Sequence, residues 1–490
     1  MDMKSSPISL LKDPSLLKTD SLINGQWVKG NSRFDVLDPA TGLKLADVAN
    51  LDTSDAEQAI AAADAAWPAW RNKTGKERHA ILMKWYQLIM ANVDDLARLM
   101  TAEQGKPLAE AKGEVAYGAS FVEWFAEEAK RVNGETLPQF DNNRRLMVLK
   151  QPIGVCVAIT PWNFPLAMIT RKVAPALAAG CTVVIKPAEL TPLTALAAGE
   201  LAVRAGIPAG VLNILTTEHS SEVGKVFCAS DTVRHISFTG STEVGRILMA
   251  QSAPSIKKLS LELGGNAPFI VFDDADVDSA VDGAMASKYR NAGQTCVCAN
   301  RIYVQDGVYD EFVEKFAAKV RSLKVGNGFD EGVVQGPLIE DSAVAKVKRH
   351  VEDAVAKGGK VLVGGNALKG QFFEPTVLSG ATGDMLCATE ETFGPFAPVF
   401  RFKHEQQAVD AANNTEFGLA SYFYSRDIGR IYRVAEALEY GMVGINAGVI
   451  ATEHVPFGGV KQSGLGREGS SHGMEEYLEM KYLCLGDMQK

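Results

Sequence analysis

The sequence lacks the features of a membrane protein or a nucleic-acid-binding protein. Its longest apolar runs fall short of the ~18 residues that a helix needs to cross a bilayer. Its 50 basic residues are outnumbered by 59 acidic ones, which gives a net charge of -9. No cluster of Lys and Arg of the kind that follows a phosphate backbone is present. We therefore expect neither a membrane nor a nucleic acid as a partner.

Cysteine and histidine are also scarce, at seven residues each. Seven scattered cysteines do not suit a disulfide scaffold and are typical of a reducing compartment. No HxxxH or CxxC pair occurs, so the sequence predicts no metal site. The N-terminal segment has neither the apolar stretch of a signal peptide nor the arginines of a transit peptide. These features together favour the cytoplasm.

What the sequence does contain is an alternation of strand and helix patterns. From about residue 151, IGVCVAIT predicts a buried strand, PLAMITRKVAPALAAG a helix closed by Gly180, and CTVVIK a second strand. The alternation continues through a helix at about 191–205 and the strands VLNILT and HISFT, and it resumes after residue 263. This rhythm predicts two α/β units with largely parallel sheets.

The remaining segments carry different signals. LINGQWV predicts two strands joined by an Asn-Gly turn, and Ser54 with Glu57 predicts a capping box at the start of a helix. Residues 127–145 and the C-terminal MEEYLEMKYLCLG fit neither α/β unit. We expect both to be strands that pair with a partner chain, as in a homo-oligomer.

Two strand ends offer groups for a nucleotide. The turn GSTEVG, from Gly240 to Gly245, leads into a helix, and its free N–H groups could bind a pyrophosphate. The GxxxxG spacing is equally that of a βα turn without a ligand. At the end of TVVIK, Lys186 and Glu189 could hold ribose hydroxyls, and a carboxylate there favours NAD over NADP. A surface ion pair is the alternative for these two residues.

The segment RNAGQTCVCANR contains two thiols, Cys296 and Cys298. Gly293 is predicted to end the preceding helix, which puts both in a connection. Acyl chemistry on a thiol needs a base and an oxyanion donor. Glu262 in LELGG and Asn163 in PWNFP, each at the end of a strand, could supply them. Taken alone, each is also an ordinary structural residue.

The motifs PWNFP, FTGSTEVG, LELGGNAP, GQTC, EETFGP and PFGGVKQSG, in this order, resemble those of the aldehyde dehydrogenase superfamily from about Leu22 onward. The resemblance implies an α/β fold with a Rossmann-type NAD-binding domain, an α/β catalytic domain and a small β oligomerisation element. It assigns them, respectively, to residues 1–127 with 147–262, to 263–467, and to 128–146 with 468–490. It also implies a dimer or a dimer of dimers.

The resemblance implies roles for individual residues. Cys296 is the expected nucleophile, Asn163 the oxyanion donor and Glu262 the base that activates water. The residues expected to bind NAD, with NADP possible, are Trp162, Lys186, Glu189, Gly240, Ser241, Gly245, Glu391 and Phe393. Cys298 is either a packing residue or a redox partner of Cys296, through a strained and easily reduced disulfide.

Within the superfamily, AMITRKVAPALAAGC and KYRNAGQTCVCANR resemble the succinate-semialdehyde dehydrogenases. A substrate with a distal carboxylate needs a cation, and Arg171 and Arg290 match arginines that this branch uses. The alternative is that both arginines cap helices or pair with acids. The branch places a serine ahead of PFGG, where this chain has VIATEHV, so Ala451 or Thr452 stands near that position.

Several alternatives stay open. Glutarate semialdehyde is one methylene longer, and a methylene is worth only ~1 to 3 kcal/mol of discrimination. A broad-specificity aldehyde dehydrogenase, a cysteine esterase or acyl-transferase, a coenzyme A-dependent acylating enzyme and a non-catalytic binding role are further possibilities. The intact Glu262 favours hydrolysis of a thioester by water.

Overall fold

The computed structural model describes residues 7–488. Its strands are β1 (Ser21–Ile23), β2 (Gln26–Val28), β3 (Ser32–Leu37), β4 (Lys44–Asn50), β5 (Glu135–Leu137), β6 (Arg145–Pro152), β7 (Val155–Ile159), β8 (Thr182–Lys186), β9 (Leu212–Ile214), β10 (Val233–Thr239), β11 (Lys258–Glu262), β12 (Ala267–Val271), β13 (Ala299–Gln305), β14 (Lys360–Val363), β15 (Thr376–Ala381), β16 (Phe396–Phe402), β17 (Ala420–Tyr424), β18 (Met442–Ile445), β19 (Gly464–Leu465) and β20 (Leu478–Leu485). Its α-helices are α1 (Thr53–Arg71), α2 (Gly75–Ala91), α3 (Val93–Gln104), α4 (Leu108–Glu128), α5 (Ala167–Ala179), α6 (Pro192–Ala205), α7 (Ser220–Ala229), α8 (Thr242–Ser252), α9 (Val277–Tyr289), α10 (Tyr309–Arg321), α11 (Asp341–Ala356), α12 (Leu386–Thr389), α13 (Glu405–Asn413), α14 (Ile428–Ala437) and α15 (His472–Glu475).

The first sheet has eight strands in the order β19-β11-β10-β7-β8-β9-β1-β2. The five from β11 to β9 are parallel, whereas β19, β1 and β2 pair antiparallel at the edges. The predicted Asn-Gly hairpin is confirmed, because Ser21 pairs with Val28 across it. The central strand β8 is buried along its whole length, as expected for a parallel strand covered on both faces.

The second sheet has seven strands in the order β14-β15-β16-β13-β12-β17-β18. Neighbouring strands in this sheet are parallel, except that β14 pairs antiparallel with β15 at the edge. The prediction of two largely parallel α/β units is therefore confirmed. Because β19 pairs with β11, the chain returns to the first sheet after it has completed the second.

A third sheet of three antiparallel strands, in the order β20-β6-β5, contains both segments that fitted neither unit. Their prediction as strands is confirmed, and pairing with a partner chain stays a prediction. Its outer side chains include the exposed Met480 and Tyr482. The division into domains also stays a proposal. Strand β6 extends to Pro152, past the domain boundary predicted after residue 146.

Two local predictions are wrong. The capping box of α1 is formed by Asp52 and Asp55, not by Ser54 and Glu57: the Asp52 carboxylate accepts from Asp55 N at 3.2 Å, and the Asp55 carboxylate accepts from Asp52 N at 3.0 Å. Helix α9 ends at Tyr289 rather than at Gly293, because the backbone turns left-handed, with φ of 52° at Asn291 and 53° at Ala292.

None of the helices within residues 7–488 is long and apolar enough to cross a membrane.

Candidate active site

A cavity of about 390 Å³ lies at the carboxyl ends of β7, β10 and β11, and segments from the second half of the chain form its other wall. Ligands of open parallel sheets bind at this edge. The cavity brings together seven of the predicted site residues: Trp162, Asn163, Gly240, Ser241, Cys296, Glu391 and Phe393. Stretches more than 200 residues apart in sequence therefore share one space.

The expected nucleophile, Cys296, follows a tight turn at Arg290–Gly293. Burial raises the pKa of its thiol to about 12, while the nearby charge of Arg171 opposes that rise. Cys296 is thus protonated at neutral pH and needs a base to react. The chain passes it closely at Gly265, where an added Cβ would lie 2.6 Å from the Cys296 carbonyl oxygen, so only glycine fits there.

The expected oxyanion donor, Asn163, is buried on the wall that it shares with Cys296. Its Nδ2 donates to the backbone oxygen of Gln294 at 3.1 Å. Because a carbonyl oxygen only accepts, this contact fixes which end of the amide points toward the nucleophile loop. The second N–H of Nδ2 remains available to a negatively charged oxygen.

The expected base, Glu262, is the last residue of β11 and is buried. Burial raises its pKa well above the ordinary value, the charge of Glu468 adds to that rise, and Arg171 opposes it. Its Oε2 has no hydrogen-bond partner among residues 7–488. Its side chain does not line the cavity, but the next residues, Leu263 and Gly264, do. A buried carboxyl of this kind suits a general base.

The predicted pyrophosphate turn lies between β10 and α8. Ser241 is the N-cap of α8, where its hydroxyl accepts from Val244 N at 3.3 Å, and Gly240 and Ser241 both line the cavity. Gly245 has a packing role, because an added Cβ would lie 2.5 Å from a methyl of Leu263. The start of α8 therefore opens on the cavity with its N–H groups and positive helix end, which fit an anionic pyrophosphate.

The other predicted cofactor residues flank this turn. Lys186 and Glu189 form an ion pair of 3.0 Å outside the cavity wall. Burial works to raise the pKa of Glu189, but the charge of Lys186 and several hydrogen bonds together lower it. Glu391 accepts from Gly265 N at 3.1 Å, and burial raises its pKa to about 7. The ring of Phe393 meets that of Trp162 edge to face, with centroids 5.6 Å apart. Carboxylates beside a phosphate-binding turn fit the ribose hydroxyls of a dinucleotide.

The two predicted substrate arginines have different surroundings. Arg171 is buried in an ion pair of 2.8 Å with Glu468, and its guanidinium lies 4.0 Å from the ring centroid of Phe457. Arg290 is half buried and lies 4.8 Å from the ring centroid of Phe164. It lines a second, small cavity and has no carboxylate within ion-pair distance in the described part of the chain.

Ala451, Thr452 and Cys298 complete the predicted set. Ala451 lines the small cavity with Arg290, whereas the hydroxyl of Thr452 is hydrogen-bonded to Nδ1 of His454 at 3.0 Å and is not on its wall. The Cys298 thiol is buried and donates to the backbone oxygen of Lys288 at 3.4 Å. Burial raises the pKa of the Cys298 thiol, and its redox partnership with Cys296 stays a proposal.

Sequence reasoning missed several residues of the site. Glu340 and Lys346 line the main cavity, but they lie in a stretch without a motif and gave no signal. Glu468 directly follows GLGR in the PFGG tail, so its place beside a motif was a signal in the sequence. Lys106 donates a hydrogen bond to the backbone oxygen of Asn163. It stands between Gly105 and Pro107, and this position between two helix-breaking residues was a signal in the sequence.

Comparisons with known proteins agree with this geometry. The model of the aldehyde dehydrogenase family matches residues 27–483. The chain is 62% identical over 477 residues to a glutarate-semialdehyde dehydrogenase of Pseudomonas putida, covering 97% of this chain and 99% of that protein. It is 60% identical over 484 residues to a 3-sulfolactaldehyde dehydrogenase of Pseudomonas putida, covering 98% and 99%. It is 59% identical over 480 residues to the succinate-semialdehyde dehydrogenase [NADP(+)] of Escherichia coli, covering 97% and 99%.

A solved aldehyde dehydrogenase from Brucella melitensis superimposes with a TM-score of 0.97 at 63% identity, covering 98% of this chain and all of that one. The predicted fold class is therefore confirmed. Both the family match and the structural match extend over almost the entire chain, and the cavity joins a thiol to a dinucleotide-type turn. The chain belongs to the aldehyde dehydrogenase family and is an NAD(P)-dependent oxidoreductase that oxidises an aldehyde.

Proposed function

We propose that the substrate is a semialdehyde with a distal carboxylate, that succinate semialdehyde is oxidised to succinate, and that glutarate semialdehyde is the alternative. Arg290 carries this proposal. It is a half-buried cation without a carboxylate partner within residues 7–488, six residues before Cys296 in the chain. Glu110 interacts with Arg290 through its charge, without a direct ion pair, so the small cavity favours a ligand that brings an anion into direct contact with the guanidinium.

The relatives support an anionic aldehyde without selecting its length. Their names specify glutarate semialdehyde, 3-sulfolactaldehyde and succinate semialdehyde, which carry a carboxylate or a sulfonate away from the aldehyde. Ala451 offers no hydroxyl on the wall of the small cavity, whereas Ser287 and Thr295 also line it. Arg290 is the positively charged contact on that wall for the anionic end. A broad-specificity aldehyde dehydrogenase is the remaining alternative.

The first chemical step uses the thiol and the amide. The Cys296 sulfur attacks the aldehyde carbon, its proton passes to Glu262, and the carbonyl π electrons move to the oxygen. Nδ2 of Asn163, held by Gln294 O, donates its second N–H to that oxyanion together with the Cys296 backbone N–H. A bound NAD(P) would supply the acceptor for a hydride from this carbon, and loss of that hydride would leave a thioester on Cys296.

Hydrolysis then uses Glu262. Glu262 first releases to solvent the proton that it took from the thiol. The resulting carboxylate then takes a proton from a water molecule whose oxygen attacks the thioester carbon. The bond from carbon to sulfur breaks, the proton is returned to the thiolate, and the acid is released. Since burial keeps the pKa of Glu262 high, this carboxyl group holds a proton well and also returns it to the strongly basic thiolate.

For the cofactor, we propose NAD with NADP as a second possibility. Lys186 and Glu189 would hold the adenosine ribose, the turn with Gly240, Ser241 and Gly245 the pyrophosphate, and Glu391 with Phe393 and Trp162 the nicotinamide ribose. A carboxylate such as Glu189 accepts from a 2′-hydroxyl and repels a 2′-phosphate. The Escherichia coli relative is named for NADP(+), so both cofactors belong in the test.

The proposal is tested by initial rates of cofactor reduction with succinate semialdehyde, glutarate semialdehyde and uncharged butanal, each with NAD and with NADP, in the presence of thiol. We expect both semialdehydes to exceed butanal in kcat/KM by about a hundredfold, on the order of 2.7 kcal/mol. Equal values of kcat/KM for butanal would contradict the binding of a substrate carboxylate by Arg290 and would support the broad-specificity alternative.

We also propose a homo-oligomer in the cytoplasm. The third sheet presents exposed apolar side chains, among them Met480 at 74% and Tyr482 at 55% exposure, which an apolar partner surface would cover. All seven cysteines are free thiols, in keeping with a reducing compartment. Sedimentation of the wild type and of Met480→Asp would test the interface. We expect the wild type to sediment as an oligomer and Met480→Asp as a monomer.

A further inference from the structure

Lys106 is a buried lysine that lies behind the cavity rather than on its wall. Gly105 ends α3 with a left-handed φ of 90°, and Pro107 precedes α4, so Lys106 occupies the corner between two helices. Its side chain is 1% exposed and pairs with the equally buried Glu114. Burial lowers the pKa of Lys106, and the charge of Glu114 works against that effect. Two charges are therefore kept in the interior at a cost in desolvation.

The partners of Lys106 belong to the segment that carries the expected oxyanion donor. Its Nζ donates to the backbone oxygen of Asn163 at 2.8 Å, and Nδ2 of Asn291 donates to the same oxygen at 3.0 Å. This segment is an irregular connection between β7 and α5, and within residues 7–488 no backbone N–H donates to that oxygen. Two side chains thus fix the peptide plane that sets the direction of the Asn163 side chain.

The other partner, Glu114, holds the far end of the same connection. Its Oε1 accepts from Leu166 N at 3.0 Å and from Ala167 N at 3.3 Å, at the start of α5. The ion pair of Lys106 and Glu114 therefore clamps residues 163–167 from both ends. Between these ends, the ring of Phe164 lies 4.0 Å from Lys106 Nζ and 4.8 Å from the Arg290 guanidinium carbon.

We propose that Lys106 is a positioning residue, which through its ion pair with Glu114 holds Asn163 so that the free N–H of the amide meets the oxyanion formed on Cys296. This inference rests on the proposed function, in which Asn163 is the oxyanion donor. A displacement of about 1 Å at a reacting group costs roughly a hundredfold in rate. Loss of the anchor therefore lowers kcat, although Lys106 touches neither substrate nor cofactor.

The test compares Lys106→Met with four other variants, the last of which combines the double change below with Asn163→Ala. Glu114→Gln is combined with Lys106→Met so that no buried carboxylate is left unpaired. Asn163→Ala removes the amide itself. Lys112→Met is the matched control, because Lys112 is a surface lysine of α4 whose partner, Asp94, is equally exposed. Melting temperature and NAD binding are measured for every variant, and kcat and KM are measured for succinate semialdehyde and for butanal.

A folded Lys106→Met/Glu114→Gln variant is expected to lose about 10- to 100-fold in kcat for both aldehydes, with NAD binding unchanged. In the Asn163→Ala background, the same two changes are expected to alter kcat by less than about twofold, because residues that act as one unit are not additive. Lys112→Met is expected to match the wild type.

Two outcomes overturn the inference in distinguishable ways. If the fold-loss in kcat is the same with and without Asn163, Lys106 acts on the structure generally and not through the amide. If Asn163→Ala alone leaves kcat unchanged, the oxyanion assignment of the proposed function falls, and the inference falls with it.

Discussion

The surroundings of Arg171 and of Arg290 differ more than their sequence contexts suggest. Arg171 is enclosed in α5, paired with Glu468 and packed on the ring of Phe457. Arg290 stands in a turn at the end of α9, packed on the ring of Phe164 beside a cavity. It forms no direct ion pair within residues 7–488, and Glu110 acts on it through its charge alone. The first guanidinium has its counter-charge inside the protein, whereas the second is free to bind a counter-charge that arrives with the substrate.

This difference shows that a shared residue type does not establish a shared role. A paired, buried guanidinium contributes to the fold and to the electrostatic field of the site. A guanidinium that forms no direct ion pair and lies beside a cavity can recognise a carboxylate in two parallel hydrogen bonds. We therefore expect substitutions at the two positions to separate stability from substrate recognition.

The largest effect is expected for Arg171→Met. Removing one partner of a buried ion pair typically costs about 3–5 kcal/mol, so the free energy of unfolding, measured with urea, should fall by that amount. Activity on semialdehydes and on butanal should fall together. Arg433→Met is the control, because Arg433 is an exposed arginine that pairs with the half-buried Glu405, and it should change the free energy of unfolding by less than about 1 kcal/mol. A selective loss of the semialdehydes in Arg171→Met would assign Arg171 to the substrate instead.

The second effect concerns recognition. Arg290→Met keeps the apolar stem against Phe164 but removes the charge, so kcat/KM for succinate semialdehyde should fall about a hundredfold, or about 2.7 kcal/mol. Butanal serves as the internal control and should be oxidised at the wild-type rate. The free energy of unfolding should not change. An equal loss for butanal would show that Arg290 supports the cavity rather than the substrate carboxylate.

A smaller effect is expected on the reactivity of Cys296. Arg171 lowers the pKa of this thiol against the effect of burial, so Arg171→Met should raise that pKa and reduce the thiolate present at a given pH. For a rise of one pKa unit, the rate of alkylation by iodoacetamide at pH 8 falls about tenfold. Arg290→Met should change this rate less. A thiol that reacts at the same rate in both variants would remove the electrostatic distinction between the two arginines.

The smallest effect is expected for Ala451→Ser. A hydroxyl on the wall beside Arg290 could donate to the substrate carboxylate, which is worth about 1 kcal/mol, or roughly fivefold in kcat/KM. The ratio of succinate to glutarate semialdehyde kinetics gives the readout, with Thr452→Ala as the control. If the Thr452 variant moves that ratio more, Thr452 and not Ala451 faces the substrate.

Much of this site could be predicted from the sequence because its residues stand directly after strands. Asn163, Gly240 and Glu262 each follow or end a strand of the first sheet, and parallel strands bring their carboxyl ends to one edge. Cys296 and Glu391 belong to motifs of the aldehyde dehydrogenase family and could be assigned by resemblance. The alternation of strands and helices likewise predicted both sheets.

The rest depends on contacts that no local pattern encodes. Arg171 and Glu468 meet across almost 300 residues, and Lys106 reaches Asn163 from a different helix pair. At the start of α1, two candidate capping boxes overlap in LDTSDAEQ, and only the backbone geometry selects Asp52 over Ser54. The predicted end of α9 at Gly293 is wrong because a glycine there resembles an ordinary C-cap, whereas the left-handed backbone begins two residues earlier, at Asn291.

The pairing of β19 with β11 also determines when the first sheet becomes complete during synthesis. Gly464 pairs with Glu262 itself, so the strand that bears the base lacks one neighbour until a segment made about 200 residues later has been translated. At 5–20 residues per second this delay is roughly 10–40 s. For that interval the nascent first sheet has an open edge next to Glu262, so a ribosome that stalls before this segment leaves an inactive and aggregation-prone chain.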